Sequence, residues 1–408
     1  MAGMVTVTDG REGSGWRRPE VLLLLLAAAM PLASSTWMAL LNNFTVEEAG
    51  FNGADIGVLQ SIREIPGLLA FTFIGLLFVF REQIIAYLSL ILLGLGTIAF
   101  ANYPTHFGLL ATTFILSVGF HYYETASQSL ALQFAEAKRA PLLIGRMMST
   151  MGIGSIVAFA LSWVGLKWLA LDMATVMTLG GVATVAVTLF AWLAFPRYQG
   201  AVKQRRQFVL RRRYWLFYAL TFMSGARRQI FVVFAAFLLV EKFGVSAEWI
   251  VVLFLVNQFA NSLFAPVAGW IVARIGERRS FMFEYSGLIG IFAAYAFIDN
   301  VWVVAAFYVL DHIFYSLSMA MRTYFRKIAD PADIAPSAGV ALSISHIAAV
   351  FLPALYGMLW LWSPQAVFVS GAVLAGVSLA MSRLVPADPR PGNETTRVLP
   401  AAAPAPAE

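Results

Sequence analysis

The sequence contains no cysteine among its 408 residues, and charged side chains make up only 12% of it. The missing cysteines exclude disulfides, thiolate metal sites and a cysteine nucleophile. An average soluble domain carries about 25% charged residues, so this chain has roughly half the usual supply for a solvated surface. Because 60% of its residues are hydrophobic, the composition predicts an integral membrane protein surrounded by the lipid bilayer.

The sequence also lacks the patterns that carry catalysis. Its polar connections are short, and they contain no pairing of a nucleophile with a base and no phosphate-binding glycine loop. We therefore predict that the protein is not an enzyme and needs no cofactor and no resident metal ion. We also predict a monomer.

Long apolar stretches divide the chain, each close to the ~20 residues with which a helix crosses the hydrocarbon core. They are 21–42, 56–79, 83–101, 107–132, 145–166, 174–194, 214–239, 249–272, 281–298, 302–325, 337–360 and 365–383. The pattern predicts an all-α membrane protein with twelve transmembrane helices. An even number of spans leaves both termini on one side of the membrane.

The basic residues predict which side that is. They cluster in the two tails and in the even-numbered connections, above all in "FPRYQGAVKQRRQFVLRRR" at 195–213, whereas the opposite connections carry only Lys167 and Lys242. Basic residues accumulate on the cytoplasmic side, so we expect a multi-pass protein of the cell membrane with both termini in the cytoplasm. The net charge of +6 is an orientation signal, and we predict no nucleic-acid binding. The start, "RRPEVLLLLLAAAMPLASS", could pass for a signal peptide. Its cleavage would invert the charge bias of every later loop, so we interpret it as an uncleaved first span.

The two halves of the chain resemble each other. Residues 46–62 align with 240–256, an offset of 240 − 46 = 194, and residues 121–134 align with 312–325, an offset of 312 − 121 = 191. Such internal similarity is typical of repeated bundles. The expected organisation is an N-terminal tail (1–20), a six-helix bundle (21–194), a basic linker (195–213), a second, parallel six-helix bundle (214–383) and a disordered C-terminal tail (384–408).

The connection "GWIVARIGERR" at 269–279 resembles the cytoplasmic loop signature of the major facilitator superfamily. Its matching residues are Gly269, Arg274, Gly276, Arg278 and Arg279, while Ala273 stands where the family usually has an acid. The resemblance implies a secondary transporter that works by alternating access. It also implies a central cavity lined by spans one, four, seven and ten.

Several charged residues fall inside the apolar spans, where each costs roughly 2.5 to 3.5 kcal/mol on insertion scales. They are Arg63, Glu64, Glu124, Arg227, Arg228, Glu284, Asp311 and Arg322. Glu284 and Arg322 lie near predicted helix ends, where we expect their side chains to snorkel to the headgroups. The adjacent pair of Arg63 and Glu64 is as consistent with a structural as with a functional role. The remaining four lie deep, on three of the spans that the resemblance assigns to the cavity.

Arg227 and Arg228, in "SGARRQIF", raise the sharpest question because neighbours on a helix point about 100° apart. We predict that one faces the cavity as a fixed charge and that the other pairs with an acid on another helix. The predicted substrate-binding residues are Arg227, Arg228, Trp37, Tyr122, Tyr123, Asn257 and Tyr315. The predicted proton-coupling residues are Asp311, Glu124, His121 and His312, since carboxyl and imidazole groups titrate and arginine does not.

These residues favour a secondary active transporter of a small anionic or zwitterionic organic solute, driven by protons. The main alternative is a proton-driven exporter of cationic or amphipathic compounds, in which the acids attract the solute. A metal carrier that uses His121 with Glu124 and Asp311 with His312 is a weaker alternative. A non-transporting membrane receptor is the weakest.

Overall fold

The computed structural model describes residues 16–69, 72–77, 79–134, 140–198, 210–330 and 334–396. Long helices fill almost all of these ranges. They are α1 (Pro19–Ala49), α2 (Gly53–Leu68), α3 (Glu82–Asn102), α4 (His106–Phe134), α5 (Ala140–Lys167), α6 (Met173–Ala194), α7 (Arg212–Glu241), α8 (Ala247–Ile275), α9 (Glu277–Phe297), α10 (Val301–Ile328), α11 (Ile334–Trp362) and α12 (Pro364–Ser382). The predicted all-α fold with twelve transmembrane helices is confirmed.

Ten of these helices are long and apolar enough to cross a membrane by themselves. The helix α2 is shorter, with 16 residues, and contains Pro66 close to its end. Proline removes a backbone N–H from the helix, and the following Gly67 is a poor helix former. The predicted continuous span 56–79 is therefore wrong in its second part: α2 ends at Leu68, and a separate short helix, Phe73–Leu76, follows.

Two helices change their winding beside the predicted site residues. In α7 a π-helical segment, Phe231–Ala235, follows the two arginines. In α10 a 3₁₀ turn, Ser316–Ser318, follows Tyr315. Such local changes in helix winding are common at functional sites because they re-aim side chains.

The two halves repeat the same packing pattern. In the first half α1 packs on α5 and α6, α3 on α4 and α6, and α2 on α4. In the second half the helices six positions later do the same: α7 packs on α11 and α12, α9 on α10 and α12, and α8 on α10. The predicted two six-helix pseudo-repeats are thus confirmed.

Two seams join the halves, and we name the sides of the protein by the chain ends. The terminal face carries the two ends of the described chain, and the opposite face carries the turns at 50–52, 168–172 and 242–246. In the first seam, α2 against α11, a Cβ on Gly57 would lie 2.3 Å from the carbonyl oxygen of Pro353. In the second seam, α5 against α8, Lys167 Nζ lies 3.2 Å from Glu248 Oε2. Glycine therefore allows the backbones of the first seam to approach closely. The second seam contains an ion pair between the halves at the opposite face.

The chain beyond α12 folds back onto the protein. Tyr324 Oη of α10 donates a hydrogen bond to the carbonyl oxygen of Glu394, and Thr396 N donates to the carbonyl of Leu384 at 2.9 Å. The turn passes through Gly392, whose φ of +83° suits glycine. Disorder predicted from the Pro- and Ala-rich composition is therefore wrong for 384–396. The rest of that tail (397–408), the start of the N-terminal tail (1–15) and most of the predicted linker (199–209) lie outside the described residues.

Candidate solute-binding and coupling site

Arg227 points into the interior of the second half. Its side chain is 3% exposed, its Nε donates to the carbonyl of Met223 at 3.2 Å, and its Cζ lies 4.4 Å from the ring centre of Tyr285 on α9. Among the described residues, its Nη1 has no hydrogen-bond partner. A buried guanidinium on the face of an aromatic ring gains cation–π attraction, which is strongest away from water.

Arg228 points in a different direction, toward α10. Its Cζ lies 3.8 Å from the ring centre of Tyr315, and the residue is only half-buried. The structure thus separates the two neighbours: Arg227 is enclosed against α9, and Arg228 keeps part of its surface accessible. The surroundings of the two arginines differ, and their predicted roles, one facing the cavity and one paired with an acid, stay a prediction.

Two acids lie near these arginines, both almost completely buried. Glu284 on α9 is 1% exposed and Asp311 on α10 is 5% exposed. Arg227 acts electrostatically on both acids, and Arg228 acts on Asp311. Within the described ranges, however, no salt bridge of 4 Å or less joins either arginine to an acid. The two acids and the two arginines are therefore close enough to interact electrostatically but are not in direct contact.

The expectation that Glu284 snorkels to the headgroups is wrong. The helix α9 begins at Glu277, four residues before the start of the predicted span, so Glu284 lies about 10 Å along the helix at ~1.5 Å per residue. Its Oε2 has no hydrogen-bond partner within the part of the chain that the structure describes. Arg322, by contrast, is exposed, as its predicted position near a helix end implies.

His312 is held by aromatic rings and by its own helix. Its Nδ1 lies 3.0 Å from the carbonyl oxygen of Tyr308, and its ring centre is 4.9 Å from that of Tyr308 and 5.9 Å from that of Phe231. The carbonyl can only accept, so Nδ1 carries a proton, and in the neutral ring Nε2 then carries the lone pair. No contact joins His312 to the carboxylate of Asp311 in the described part of the chain. These two residues therefore do not form the metal-binding pair that the metal-carrier alternative requires.

A second charged cluster lies in the first half. Arg63 Nη2 is 2.5 Å and Nε 3.0 Å from Glu64 Oε1, and the two side chains are only 13% and 10% exposed. Glu64 Oε2 lies 3.9 Å from Nε2 of His346, which belongs to α11 in the second half. The ring centres of His346 and His121 are 5.4 Å apart. Three helices from both halves thus converge, a meeting that the sequence pattern did not predict.

The four residues of "HYYE" at 121–124 separate on the surface of α4. His121 joins the cluster just described, and Glu124 is half exposed with its Oε2 3.9 Å from His121 Nδ1. The hydroxyl of Tyr122 contacts that of Thr72 at 2.5 Å, and Tyr123 is buried in the core with 2% exposure. Tyr123 is therefore a packing residue in this conformation.

A cavity of about 280 Å³ lies in the first half between α1, α2, α3, α4 and α5. Its polar lining residues are Ser34, Ser35, Arg63, Glu64, Ser117, His121 and Ser155, and its apolar wall includes Met30, Met38, Phe120 and Trp37. The volume is slightly below the usual range for ligand pockets. Of the predicted site residues, Trp37 and His121 line it, whereas Arg227 and Arg228 do not. Asn257 lies on α8, half-buried, with its Oδ1 buried and without a partner among the described residues.

The loop motif forms the sharp connection between α8 and α9 on the terminal face. Gly276 ends α8 with a φ of +79°, and Arg274 Cζ lies 5.0 Å from the ring centre of Trp270. Arg279 is exposed, Arg278 is half-buried, and Gly269 lies opposite Met319 of α10.

Glu277, an acid that the family motif did not single out, forms an ion pair at this connection. Glu277 is 4% exposed, and its Oε1 lies 2.7 Å from Nζ of Lys327 at the end of α10. Ala273, at the position where the family usually carries an acid, is exposed. An acid four residues later, Glu277, therefore forms an ion pair on this face.

The family model described as Major Facilitator Superfamily matches residues 22–310 and, in a second overlapping match, residues 217–406. The chain belongs to the major facilitator superfamily. This assignment confirms the resemblance that the loop motif indicated, and it makes the protein a membrane transporter by family.

Solved structures with the same fold agree with the family. The nucleoside transporter NupG has a TM-score of 0.71 and 19% identity, covering 89% of this chain and 98% of its own. A bacterial homolog to the human lysosomal transporter Spinster, in an inward-facing and occupied conformation, has a TM-score of 0.70 and 16% identity, covering 95% and 100%. At these identities the likeness is one of fold. A comparison with curated protein sequences gives no significant match.

Proposed function

We propose that this superfamily member is a secondary active transporter that carries a small anionic or zwitterionic organic solute by alternating access, with protons as the coupling ion. The observation that carries the proposal is Arg228, a half-buried guanidinium at 3.8 Å from the Tyr315 ring. A positive charge that keeps accessible surface inside a membrane protein suits an anionic group, because arginine stays charged and offers a planar pair of donors.

Asp311 links solute to protons in this proposal. Its buried carboxyl lies within the electrostatic range of both arginines, so an ionised Asp311 and an anionic solute compete for the same positive charge. Solute binding at Arg228 therefore favours the protonated acid, and proton release favours solute release. Glu124, half exposed beside His121, is the second coupling acid and exchanges protons with the solvent.

Lysine substitutions of the two arginines test the solute class. Lysine keeps the charge and loses the bidentate fork, so Arg228→Lys should weaken binding of an anionic solute at least tenfold with little change in thermal stability. Arg227→Lys should lower the thermal stability first, because Arg227 is buried on Tyr285. The measurement is thermal unfolding of the purified protein with a panel of organic acids, amino acids, organic cations and, given the NupG likeness, nucleosides. Normal binding by both variants would remove the arginines from the solute site.

The alternative, a proton-driven exporter of cationic or amphipathic compounds, is favoured by the buried acids Glu284 and Asp311 beside aromatic rings. In that case organic cations should stabilise the protein, and Asp311→Asn should remove this effect while Arg228→Lys retains it. The same panel therefore separates the two functions.

The proposed setting is the cell membrane, with the terminal face in the cytoplasm. Reporter fusions after Ala201 and within 385–400 should both be cytoplasmic, and a fusion at Gly244 should be external. A C-terminal reporter outside the cell would contradict the twelve-span orientation.

A further inference from the structure

Glu64, His121 and His346 form a cluster with the chemistry of a metal site. Each offers one ligand atom, and these three atoms lie within 4.8 Å of one another. Glu64 and His121 are buried and His346 is half-buried. From this convergence we propose that the protein binds one Zn²⁺ ion between its two halves, through Glu64, His121 and His346. The ion would be a conformational ligand, distinct from the transported solute.

The donor set suits zinc better than the hard cations. Imidazole nitrogen and carboxylate oxygen are usual zinc ligands, whereas Mg²⁺ and Ca²⁺ prefer oxygen alone. Around one tetrahedral zinc, ligand atoms lie about 3.3 Å apart at Zn–N distances of ~2.0–2.1 Å. The three atoms lie within 4.8 Å of one another, so the most distant pair must approach by at most about 1.5 Å and the pair of Glu64 Oε2 and His346 Nε2, 3.9 Å apart, by about 0.6 Å. Three protein ligands leave a fourth position for water.

The surroundings orient the ligands as outer-shell groups do at known metal sites. Arg63 holds Glu64 by Oε1 and leaves Oε2 toward His346 Nε2, 3.9 Å away. Glu124 Oε2 lies 3.9 Å from His121 Nδ1 and supplies a second carboxylate. The two carboxylates offset the charge of Zn²⁺, while the guanidinium of Arg63 opposes it, so we expect micromolar rather than tighter binding.

Gly67 creates the space in which the two histidines meet. A Cβ at this position would lie 2.3 Å from Cδ2 of His346 and 2.8 Å from Cε1 of His121. Any larger residue would push both rings aside. A substitution of Gly67 therefore disturbs the cluster while all three proposed zinc ligands stay in the chain.

The position of the cluster predicts what zinc does. Two ligands belong to the first half, on α2 and α4, and the third belongs to the second half, on α11. Alternating access requires the halves to move against each other. An ion held by both would lock the conformation seen here, so Zn²⁺ should inhibit transport as well as stabilise the fold.

The chain contains four histidines and no cysteine, which makes the test clean. The experiment measures thermal unfolding and zinc stoichiometry of the purified full-length protein with ZnCl₂, with MgCl₂ as the ionic control and without solute. We expect one ion per chain and a raised unfolding temperature, with affinity at least tenfold weaker in His121→Gln and His346→Gln. His312→Gln and His106→Gln are matched controls; His106 with Asp55 at 2.8 Å is the competing surface site.

Loss of the zinc effect in His106→Gln, or its retention in both cluster variants, would overturn the proposal. If the cluster variants fail to fold, the wild-type protein decides with Co²⁺. A four-coordinate site with histidine ligands gives intense visible d–d absorption, which Gly67→Ala should weaken, and a wild-type spectrum of hexa-aquo cobalt would exclude the site. Since no solute is present, failure here leaves the proposed transport function standing, and failure of solute binding leaves the zinc site standing.

Discussion

The two halves share their helix packing and treat their buried charges in opposite ways. In the first half Arg63 and Glu64 are in direct contact at 2.5 Å, beside a cavity. In the second half Arg227 and Arg228 lie on tyrosine rings, and the nearby acids make no ion pair with them within the described residues.

The difference matters for function. A buried charge in a direct ion pair is compensated by its partner. Such a pair can bind a further ion only through atoms that do not take part in the pair, as Glu64 Oε2 does not. A guanidinium held on an aromatic ring keeps hydrogen-bond donors for another partner. The buried pair of the first half therefore suits a conformational contact, and the unpaired guanidinium groups of the second half suit the solute binding that we propose. Substitutions in the two kinds of environment should have different consequences.

The largest effect is expected at Asp311. Asp311→Asn keeps the shape and removes the titrating group, so accumulation driven by a proton gradient should be lost while solute binding and exchange remain. Glu124→Gln should reduce accumulation only in part, because Glu124 is half exposed. The measurement is uptake into proteoliposomes with and without a pH gradient. Full accumulation by Asp311→Asn would remove this acid from coupling.

Next in size is the loss of stability at Arg227. Arg227→Met removes the cation–π contact with Tyr285, worth about 2 kcal/mol in a desolvated site, and with it the positive charge that acts on the buried Glu284. Arg228→Met should cost clearly less, since Arg228 is half-buried. Adding Glu284→Gln to Arg227→Met should recover part of the loss in a chemical unfolding titration. If the double variant is no more stable, Glu284 is already neutral in the native protein.

The sequence predicted the helices well because each apolar run carries its own signal over ~20 residues. It also predicted that Arg227 and Arg228 must differ, since helix geometry alone separates adjacent side chains. It did not predict the contact of Glu64, His121 and His346, because these residues are far apart along the chain and no spacing connects them. The burial of Glu284 was missed for a different reason. The polar start of α9, "ERRSFMFE", does not reveal that the helix begins four residues before the apolar run.

A moderate effect is expected at the seam between α2 and α11. Gly57→Ala places a methyl group 2.3 Å from the Pro353 carbonyl oxygen, and overpacking of this kind costs typically ~1–3 kcal/mol. Since the strain arises only where the two helices meet this closely, the variant should favour a conformation in which the seam is open. Distances between spin labels on introduced cysteines measure this shift, and the chain has no native cysteine to interfere.

Gly290→Ala is the matched control for that substitution. Gly290 also lies in a helix, but no atom lies within 4 Å of its missing Cβ among the described residues. Alanine there should leave the distance distribution unchanged and raise stability by about 1 kcal/mol or less through helix propensity. If Gly57→Ala and Gly290→Ala gave the same distances and the same stability, the first seam would have space for the additional methyl group.

The smallest effect is expected at the seam between α5 and α8, where Lys167 and Glu248 form an ion pair with side chains 55% and 33% exposed. Exposed pairs contribute about 0–1 kcal/mol and are screened by salt, so Glu248→Gln should change the unfolding midpoint little. Its effect on the conformational distribution should still be measurable at low salt, because this pair crosses between the halves.

The pair of Lys242 and Asp299, 2.6 Å apart with 38% and 78% exposure, provides the control because it lies within the second half. Asp299→Asn should leave the spin-label distances unchanged at any ionic strength. The exchanged variant Lys167→Glu/Glu248→Lys should restore the wild-type distribution of distances. The effects of Glu248→Gln on the unfolding midpoint and on the distances should both decrease as the salt concentration is raised. If Asp299→Asn shifts the distances as much as Glu248→Gln does, the loss of one surface charge is the cause of the shift. The ion pair of Lys167 and Glu248 would then not stabilise the contact between the halves at the opposite face.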